Sequence, residues 1–446
     1  MRLISAVLCA TTGLVFIGCV HIEWRGGMTP SLQWQKREES HTYVKPEAGR
    51  LSDLLENNSS SAEWPDFRGP TRRGIARSQG VPIDWRKKPN LIWRREIGPG
   101  HSSLILASGR LYTMEQEGDF ETLTCRSMRD GGVVWKYRKP TKLKDSMGGI
   151  GPRSSPVAAQ GKIYALHSNG TLSCLQASTG DLIWERETLE PEYEYPHWGL
   201  ACSPLVLNGM VIVSPGGAAG AVKSFDAETG RPAWVSKLKG NGVYLSPSAM
   251  KLAGRLQVVV AVEGKLAGLE PSTGETLWEH PWKIFMVNTQ ITQPLELSED
   301  VLLVSAGYGK GAEAVRIEKD TQGFTTQRIW KSKNLKTKFS SPVFRNGYVY
   351  GFNESSLTCI EAQTGGLMWR GEKYGYGRIL LVEDKLLILG NTGAVSVVEA
   401  NPNGFVEVSS RQLLKKERCW NGPLLVGGFL VLRNGSEIRC YDYKAR

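Results

Sequence analysis

The sequence predicts an all-β protein, an eight-bladed β-propeller whose blades are four-stranded antiparallel sheets. Two observations indicate this fold class. Tryptophans that end a repeated unit stand 39–52 residues apart, as at Trp135, Trp184 and Trp234. The chain also has two incomplete ends, a lone strand near Trp93 and a last unit that stops after its third strand at Asp442. Joining the two ends completes the eighth blade and closes the ring.

The N-terminal residues predict export from the cytoplasm. A basic start, Met1–Arg2, precedes an apolar stretch, Leu3–Ile17, which ends at Gly18–Cys19. This is the layout of a secretory signal. The string from Phe16 to Cys19 also resembles the bacterial lipobox, in which the cysteine is lipidated. Residues 1–19 are therefore predicted to be a lipoprotein signal with lipidation at Cys19, and an uncleaved membrane anchor remains the alternative. Either reading places the protein in the cell envelope or periplasm, tethered to a membrane.

Residues 20–63 predict a flexible linker. They show no hydrophobic period, and they contain a charged run at 36–39 and a polar run at 57–61. Such segments bury too little apolar surface to offset the entropy of ordering. The propeller is predicted to fill residues 64–446. No other apolar run approaches the ~20 residues that a membrane-spanning helix needs.

Each repeat predicts four strands. The first strand follows a proline, which is tolerated where a strand begins. The fourth strand follows a Thr-Gly hairpin, whose glycine supplies a positive φ, and it contains the tryptophan. The prolines stand in the pairs Ser155-Pro156, Ser203-Pro204, Ser246-Pro247, Gln293-Pro294, Ser341-Pro342 and Gly422-Pro423. Cys125, Cys174, Cys359 and Cys440 share one third-strand position, which predicts small buried core residues, too far apart for disulfides.

The repeated pattern Ala-x-x-Thr-Gly-x-x-x-Trp resembles the tryptophan-docking repeat of the PQQ-like β-propeller superfamily. That superfamily includes the quinoprotein dehydrogenases and the BamB lipoprotein of outer-membrane barrel assembly. The string Trp64-Pro-Asp-Phe-Arg-Gly-Pro70 resembles the segment that leads into bacterial propellers of this type. The resemblance covers about residues 64–446 and implies that each tryptophan packs between neighbouring blades. The docking tryptophans are then Trp93, Trp135, Trp184, Trp234, Trp278, Trp330 and Trp369.

The chemistry of the quinoproteins is not evident in the sequence. The resemblance implies PQQ in a central funnel, adjacent disulfide-bonded cysteines, a calcium ion, a catalytic aspartate and a stacking tryptophan. This chain has no Cys-Cys pair, and its six histidines show no metal-binding spacing. We therefore predict no catalytic residues, no metal and no bound cofactor, with PQQ kept only as an alternative.

The connections that follow the tryptophan strands predict a docking face. On a propeller they lie at one end of the ring, and they combine aromatic anchors with basic side chains that favour an acidic partner. The alternative is that these loops are merely solvated, with their aromatics packed inward. The candidate partner-binding residues are Tyr193, Tyr195, His197, Trp198, Trp282, Tyr374, Tyr376, Trp420, Lys136, Arg138, Lys139, Lys331 and Lys333.

Three functions are compatible with these features. The first is a non-catalytic, monomeric envelope scaffold for protein–protein interaction, BamB-like in role. The second is a PQQ-dependent dehydrogenase or PQQ sensor, and the third is a module that binds a polysaccharide or small ligand in the funnel. The formal net charge of +11 could also attract nucleic acid, but export argues against that partner.

Overall fold

The computed structural model describes residues 63–445 except 79, 191–192, 194–197 and 286–289, together with the backbone of 18–24 and 30–36. Within these residues every regular element is a strand. Eight sheets of four strands, one of them extended by a fifth, surround a common axis, and the predicted eight-bladed propeller is confirmed. In each blade the first strand lies nearest the axis and the fourth lies outermost.

The first four blades follow one another along the chain. Blade 1 consists of Ile105–Ala107, Arg110–Glu117, Phe120–Ser127 and Val133–Pro140. Blade 2 consists of Val157–Ala159, Lys162–Leu166, Thr171–Gln176 and Leu182–Glu187. Blade 3 consists of Leu205–Leu207, Met210–Val213, Lys223–Asp226 and Pro232–Val235. Blade 4 consists of Ser248–Leu252, Arg255–Val262, Lys265–Leu269 and Thr276–Pro281.

The second half of the ring adds two strands from the N-terminal part of the chain. Blade 5 consists of Leu295–Glu296, Val301–Ala306, Gly311–Lys319 and Phe324–Ser332. Blade 6 consists of Val343–Arg345, Tyr348–Asn353, Ser356–Glu361 and Leu367–Lys373. Blade 7 consists of Arg378–Val382, Lys385–Leu389, Ala394–Glu399 and Glu407–Gln412, with Ile75–Ala76 parallel to its first strand. Blade 8 consists of Leu424–Val426, Phe429–Arg433, Glu437–Asp442 and Asn90–Glu96.

Blade 8 is therefore built from both ends of the propeller. Its outer strand, Asn90–Glu96, pairs antiparallel with Glu437–Asp442, and Trp93 lies opposite Cys440. The indole nitrogen of Trp93 donates to the carbonyl of Met128 in blade 1, at 3.0 Å. Pairing the two ends covers the edge of Glu437–Asp442, which would otherwise be open to strands from other chains.

The tryptophans join each blade to the next. The indole of Trp135 donates to the carbonyl of Ala177 in blade 2 at 3.0 Å, and its ring covers Gly180 in the Thr-Gly hairpin of that blade. The same arrangement links Trp184 with Ala227 and Gly230. A wide aromatic ring fills the gap that opens between blades away from the axis, because it combines a large apolar surface with one donor.

Substitution of Gly180 by alanine would test this contact between blades. A Cβ at Gly180 would lie 2.6 Å from the ring of Trp135, whereas a Cβ at Gly161 would meet nothing within 4 Å. Both glycines have positive φ, of 80° and 74°. We expect Gly161→Ala to cost about 1–2 kcal/mol from backbone strain alone. Gly180→Ala should cost about 2–4 kcal/mol, because overpacking adds to the same strain. Urea denaturation of both variants measures the difference, and equal losses would contradict the docking role.

Two seams depart from the repeat. Blade 5 has no Thr-Gly hairpin, and the indole of Trp278 donates instead to Gln257 of its own blade, at 2.6 Å. Blade 7 has no docking tryptophan. There Ser409 donates to the carbonyl of Trp85 at 2.7 Å, and the Trp85 ring packs on Tyr443 with centroids 5.1 Å apart. The chain leading into the closing strand thus supplies the aromatic ring that blade 7 lacks.

The cysteines are core residues, as predicted. Cys125, Cys174, Cys359 and Cys440 lie opposite the tryptophans of their blades and are fully buried. All six described cysteines are free thiols.

The N-terminal predictions are largely outside the described residues. Residues 1–17 of the predicted signal lie outside the described residues, and only the backbone of Cys19 is described. A strand that spans the end of the predicted signal and the start of the predicted linker, Gly18–Trp24, pairs antiparallel with Pro30–Lys36. The described part of the chain contains no helix long and apolar enough to cross a membrane.

Candidate functional site

Serine hydroxyls link the inner strands around the axis. At the start of an inner strand, a backbone N–H donates to the hydroxyl that stands at the same place in the following blade. The bonds are Gly422 to Ser103 at 2.9 Å, Ser103 to Ser155 at 2.8 Å, Ser155 to Ser203 at 2.9 Å, Ser203 to Ser246 at 2.8 Å and Gln293 to Ser341 at 2.8 Å. Four of these five acceptor serines stand directly before a proline, and each of the five hydroxyls joins two neighbouring blades.

Residues 64–74, which we call the floor segment, cross the axis beneath this ring of hydroxyls. Trp64 bridges to Leu106 of blade 1, and the carbonyl of Pro65 accepts from Ala158 of blade 2. The segment then continues into Ile75–Ala76, which pairs with blade 7. One end of the central channel is consequently closed by the chain itself.

A buried ion pair fixes the floor segment. The Nε of Arg72 lies 2.7 Å from Oδ2 of Asp66, and both side chains are at least nine-tenths buried. The remaining nitrogens of Arg72 donate to the carbonyls of Pro204 and Pro247, in blades 3 and 4. Burial raises the pKa of Asp66 from 3.8 to about 6, although Arg72 opposes the shift.

Above the floor segment lies a cavity of about 680 Å³, the axial cavity. The connections between blades line it, so it belongs to the loop face, the end of the ring that carries the connections from each outer strand to the next inner strand. Its volume is in the range of ligand sites in proteins. The aromatic lining residues are Phe67, His101, Trp198, Tyr244, Phe285, Tyr308, Phe339 and Trp420, and the charged ones are Arg68, Arg153, Arg378 and Asp145.

The charge of the lining is positive. Asp145, the one carboxylate among the described lining residues, is already paired with Arg153. Arg68 donates to four backbone carbonyls, among them Ser341 at 2.9 Å and Pro342 at 3.0 Å. Burial lowers the pKa of Arg68 to about 9, to which the nearby charge of Arg378 contributes, and burial lowers that of Arg378 to about 10.

Stacked rings form one wall of the axial cavity. The centroid of Trp420 lies 4.6 Å from that of Phe339 and 4.8 Å from that of His101. The Nζ of Lys338 lies over the ring of Tyr308, 4.2 Å from its centroid. Burial holds the pKa of His101 well below its usual range, so the ring is neutral at pH 7. This wall offers apolar faces with positive charge close by.

The structure separates the predicted aromatic anchors. Trp198, stacked on Tyr244 at 5.7 Å, and Trp420 line the axial cavity. Tyr376 packs edge-on against Phe339, at 5.4 Å. Tyr374 donates to Glu407 at 2.6 Å, and Tyr193 donates to Asn241 at 3.1 Å. Tyr195 and His197 lie outside the described residues.

Trp282 requires a correction. Its side chain is 2% exposed, and its indole donates to Gln290 at 2.8 Å. The ring packs in the hydrophobic core that blades 4 and 5 share. It is therefore not accessible to a partner.

The basic candidates also lie elsewhere than predicted. Lys136, Arg138 and Lys139 belong to the outer strand Val133–Pro140 instead of the connection after it. Arg138 pairs with Glu117 at 3.0 Å and Lys139 with Glu185 at 2.9 Å, while Lys136 also contacts Glu117. These charges are therefore largely balanced within the blades.

Two further basic candidates, Lys331 and Lys333 of blade 5, also lie outside the lining of the axial cavity. Lys331 is exposed on the outer strand Phe324–Ser332, and Lys333 donates to the carbonyls of Gly309 and Lys310.

The family of the chain follows from its central blades. Residues 140–370, slightly more than half of the chain, match a family model described as outer membrane protein assembly factor BamB. The chain belongs to this BamB family. Membership agrees with the superfamily resemblance predicted from the docking repeats.

Individual relatives include proteins of two kinds. The chain is 31% identical over 138 residues to the quinohemoprotein alcohol dehydrogenase ADH-IIG of Pseudomonas putida, a match covering 29% of this chain and 18% of that enzyme. The chain thus spans less than a fifth of that relative. It is 23% identical over 358 residues to outer membrane protein assembly factor BamB of Burkholderia pseudomallei, covering 76% and 84% of the two chains. The crystal structure of the ADHIIG enzyme superimposes with a TM-score of 0.62 at 14% identity, over 90% of this chain and 84% of that one, which shows the shared fold.

The described residues do not fit a calcium-held PQQ. They include no group of three or more His, Cys, Asp or Glu side chains that could hold a metal ion. Asp145, the single carboxylate among the described residues of the axial cavity, is paired with Arg153, and the described cysteines form no disulfide. We therefore derive no reaction step through this cofactor.

The main residues of the site were not singled out from the sequence. Arg68 lies in the string Trp64–Pro70, which was recognised only as a leading segment, and its neighbour Phe67 contributes to the lining. Phe339 stands in the connection between blades 5 and 6, and Arg378 begins the inner strand of blade 7; neither belongs to a repeated pattern. Only the ring geometry brings them together.

Proposed function

We propose that the protein is a non-catalytic scaffold of the cell envelope that binds partner proteins of outer-membrane assembly through its loop face. Membership of the BamB family supports this role. The observation that carries it is the axial cavity, which combines stacked aromatic rings and arginines with a closed floor and, in its described lining, only one carboxylate. Such a surface suits contact with a partner, whereas hydrolysis or redox chemistry needs convergent acids, bases or metal ligands.

The N-terminal segment completes the proposal. A lipid on Cys19 would hold the propeller at a membrane, while the residues between Cys19 and the floor segment give it reach.

The proposal predicts a defect in outer-membrane assembly. We expect deletion of the gene to lower the folded fraction of outer-membrane β-barrel proteins, measured by the heat-modifiable mobility of these proteins on gels. The full chain should restore this fraction, and Cys19→Ala should restore it less because the propeller is no longer tethered. Unchanged barrel content in the deletion strain would contradict the proposal. Saturable binding of PQQ with Ca²⁺ and dye reduction by the purified protein would favour the dehydrogenase alternative instead.

A further inference from the structure

Arg378 presents unused hydrogen-bond donors to the axial cavity. Its Nε donates to the carbonyl of Trp420, at 2.5 Å. Within the described part of the chain its two terminal nitrogens have no hydrogen-bond partner, and neither Arg378 nor Arg68 forms an ion pair with a carboxylate. A guanidinium fork of this kind matches a carboxylate, with which it forms two parallel hydrogen bonds.

A second guanidinium lies near this fork. Arg68 lies close enough for its charge to interact with that of Arg378, and both arginines line the axial cavity. Partly buried like charges without a counter-ion are costly, and a bound anion would remove much of that cost. The complementary group is therefore a carboxylate held near the aromatic wall of Phe339 and Trp420.

Exposed apolar side chains continue the aromatic lining out of the cavity. Phe285 is 81% exposed and Met147 is 46% exposed, and both line the opening. Ile150, 37% exposed, stands in the short hairpin beside Met147. A ligand confined to the cavity would leave these side chains in water, whereas a chain that enters the cavity and continues over the rim would cover them.

We propose that the axial cavity receives an extended acidic segment of a partner protein, with an Asp or Glu carboxylate on Arg378 and a neighbouring large apolar side chain against Phe339 and Trp420. The rim formed by Met147, Ile150 and Phe285 packs on the apolar residues that follow. This inference rests on the proposed scaffold function and specifies the chemistry of the partner.

Panning a library of random peptides on the full-length protein tests the inference. We expect enriched peptides to carry Asp or Glu beside Phe, Leu or Trp, and their affinity to fall as salt is raised. Arg378→Gln should weaken the enriched peptides by about tenfold or more, because a desolvated carboxylate loses its paired donors. Phe285→Ser should weaken them by a smaller factor.

A matched control separates this effect from a general loss of positive charge. Arg370, exposed on the outer strand of blade 6, lies away from the axial cavity, so Arg370→Gln should bind the same peptides like the unaltered protein. Thermal melting of both variants checks that they fold.

Three results would overturn the inference. These are enrichment of peptides without acidic residues or of none at all, equal binding by Arg378→Gln, and binding of phenylacetate as tight as that of the peptides, which would make the cavity a small-molecule site. Any of them could occur while deletion still impairs barrel assembly, so this failure is distinguishable from failure of the proposed function. Conversely, peptide binding with normal barrel assembly would contradict only the proposed function.

Discussion

Replacing Trp93 by alanine is expected to lower the free energy of unfolding by about 3–5 kcal/mol, among the largest effects of any single substitution in this propeller. Trp93 is 3% exposed, it lies opposite Cys440, and it donates to Met128 of the next blade. The variant therefore loses a large buried side chain at the seam where the two ends of the propeller meet.

Trp135→Ala is the matched control for the seam. Trp135 makes the same contact with the next blade, but its own blade is continuous in sequence and its ring is only partly buried. We expect a smaller loss of stability for Trp135→Ala in urea denaturation. Limited proteolysis should cut Trp93→Ala first between residues 64 and 96, because the closing strand detaches. Equal losses and identical cleavage patterns would show that the seam is no weaker than the other blade contacts.

Arg72→Met is expected to cost about 3–5 kcal/mol, because it leaves the carboxylate of Asp66 buried without its partner. The same substitution removes the donors to Pro204 and Pro247, which tie the floor segment to blades 3 and 4. The double variant Asp66→Asn with Arg72→Met should recover part of the loss, since no charge then remains buried. A double variant less stable than Arg72→Met would contradict this account, and urea denaturation measures all three.

The pH dependence of Arg72→Met has a definite sign. The folded pKa of Asp66, about 6, is above its ordinary 3.8, so the folded protein binds this proton more tightly than the unfolded chain. Stability from this group is therefore gained as the pH falls through about 6 towards 3.8. Arg72 opposes the shift, and without it the pKa of Asp66 rises further. The loss of unfolding free energy caused by Arg72→Met should consequently be smaller at pH 5 than at pH 8. When the protein also carries Asp66→Asn, this pH dependence of the loss should disappear.

The blades were predictable because their contacts are local. The Thr-Gly hairpin and the tryptophan after it lie in one repeat, and each cysteine stands at the strand position opposite the tryptophan. The closing strand was predictable as well, since an unpaired strand at one end and a missing strand at the other have one simple solution. Trp282 was assigned wrongly because an aromatic residue just beyond a strand can face either solvent or core, and only the packing of blades 4 and 5 decides which.

The charged surface illustrates the same distinction. Runs of lysine and arginine after a tryptophan predict a basic loop, but the outer strand of blade 1 extends to Pro140 and brings Lys139 to Glu185 of blade 2. These partners are 46 residues apart in sequence. No local pattern could have shown that the charges are balanced.

From the amino-acid sequence alone one can predict the repeat, the number of blades, the docking tryptophans and the way in which the ring ends meet. These features follow from hydrogen bonding and packing within a repeat or between successive repeats. The features on the axis depend on tertiary contacts: the hydroxyls that link the inner strands, the floor segment, and the cavity lined by both Arg68 and Arg378. Those residues come singly from segments far apart in the chain, and closing the ring makes them neighbours.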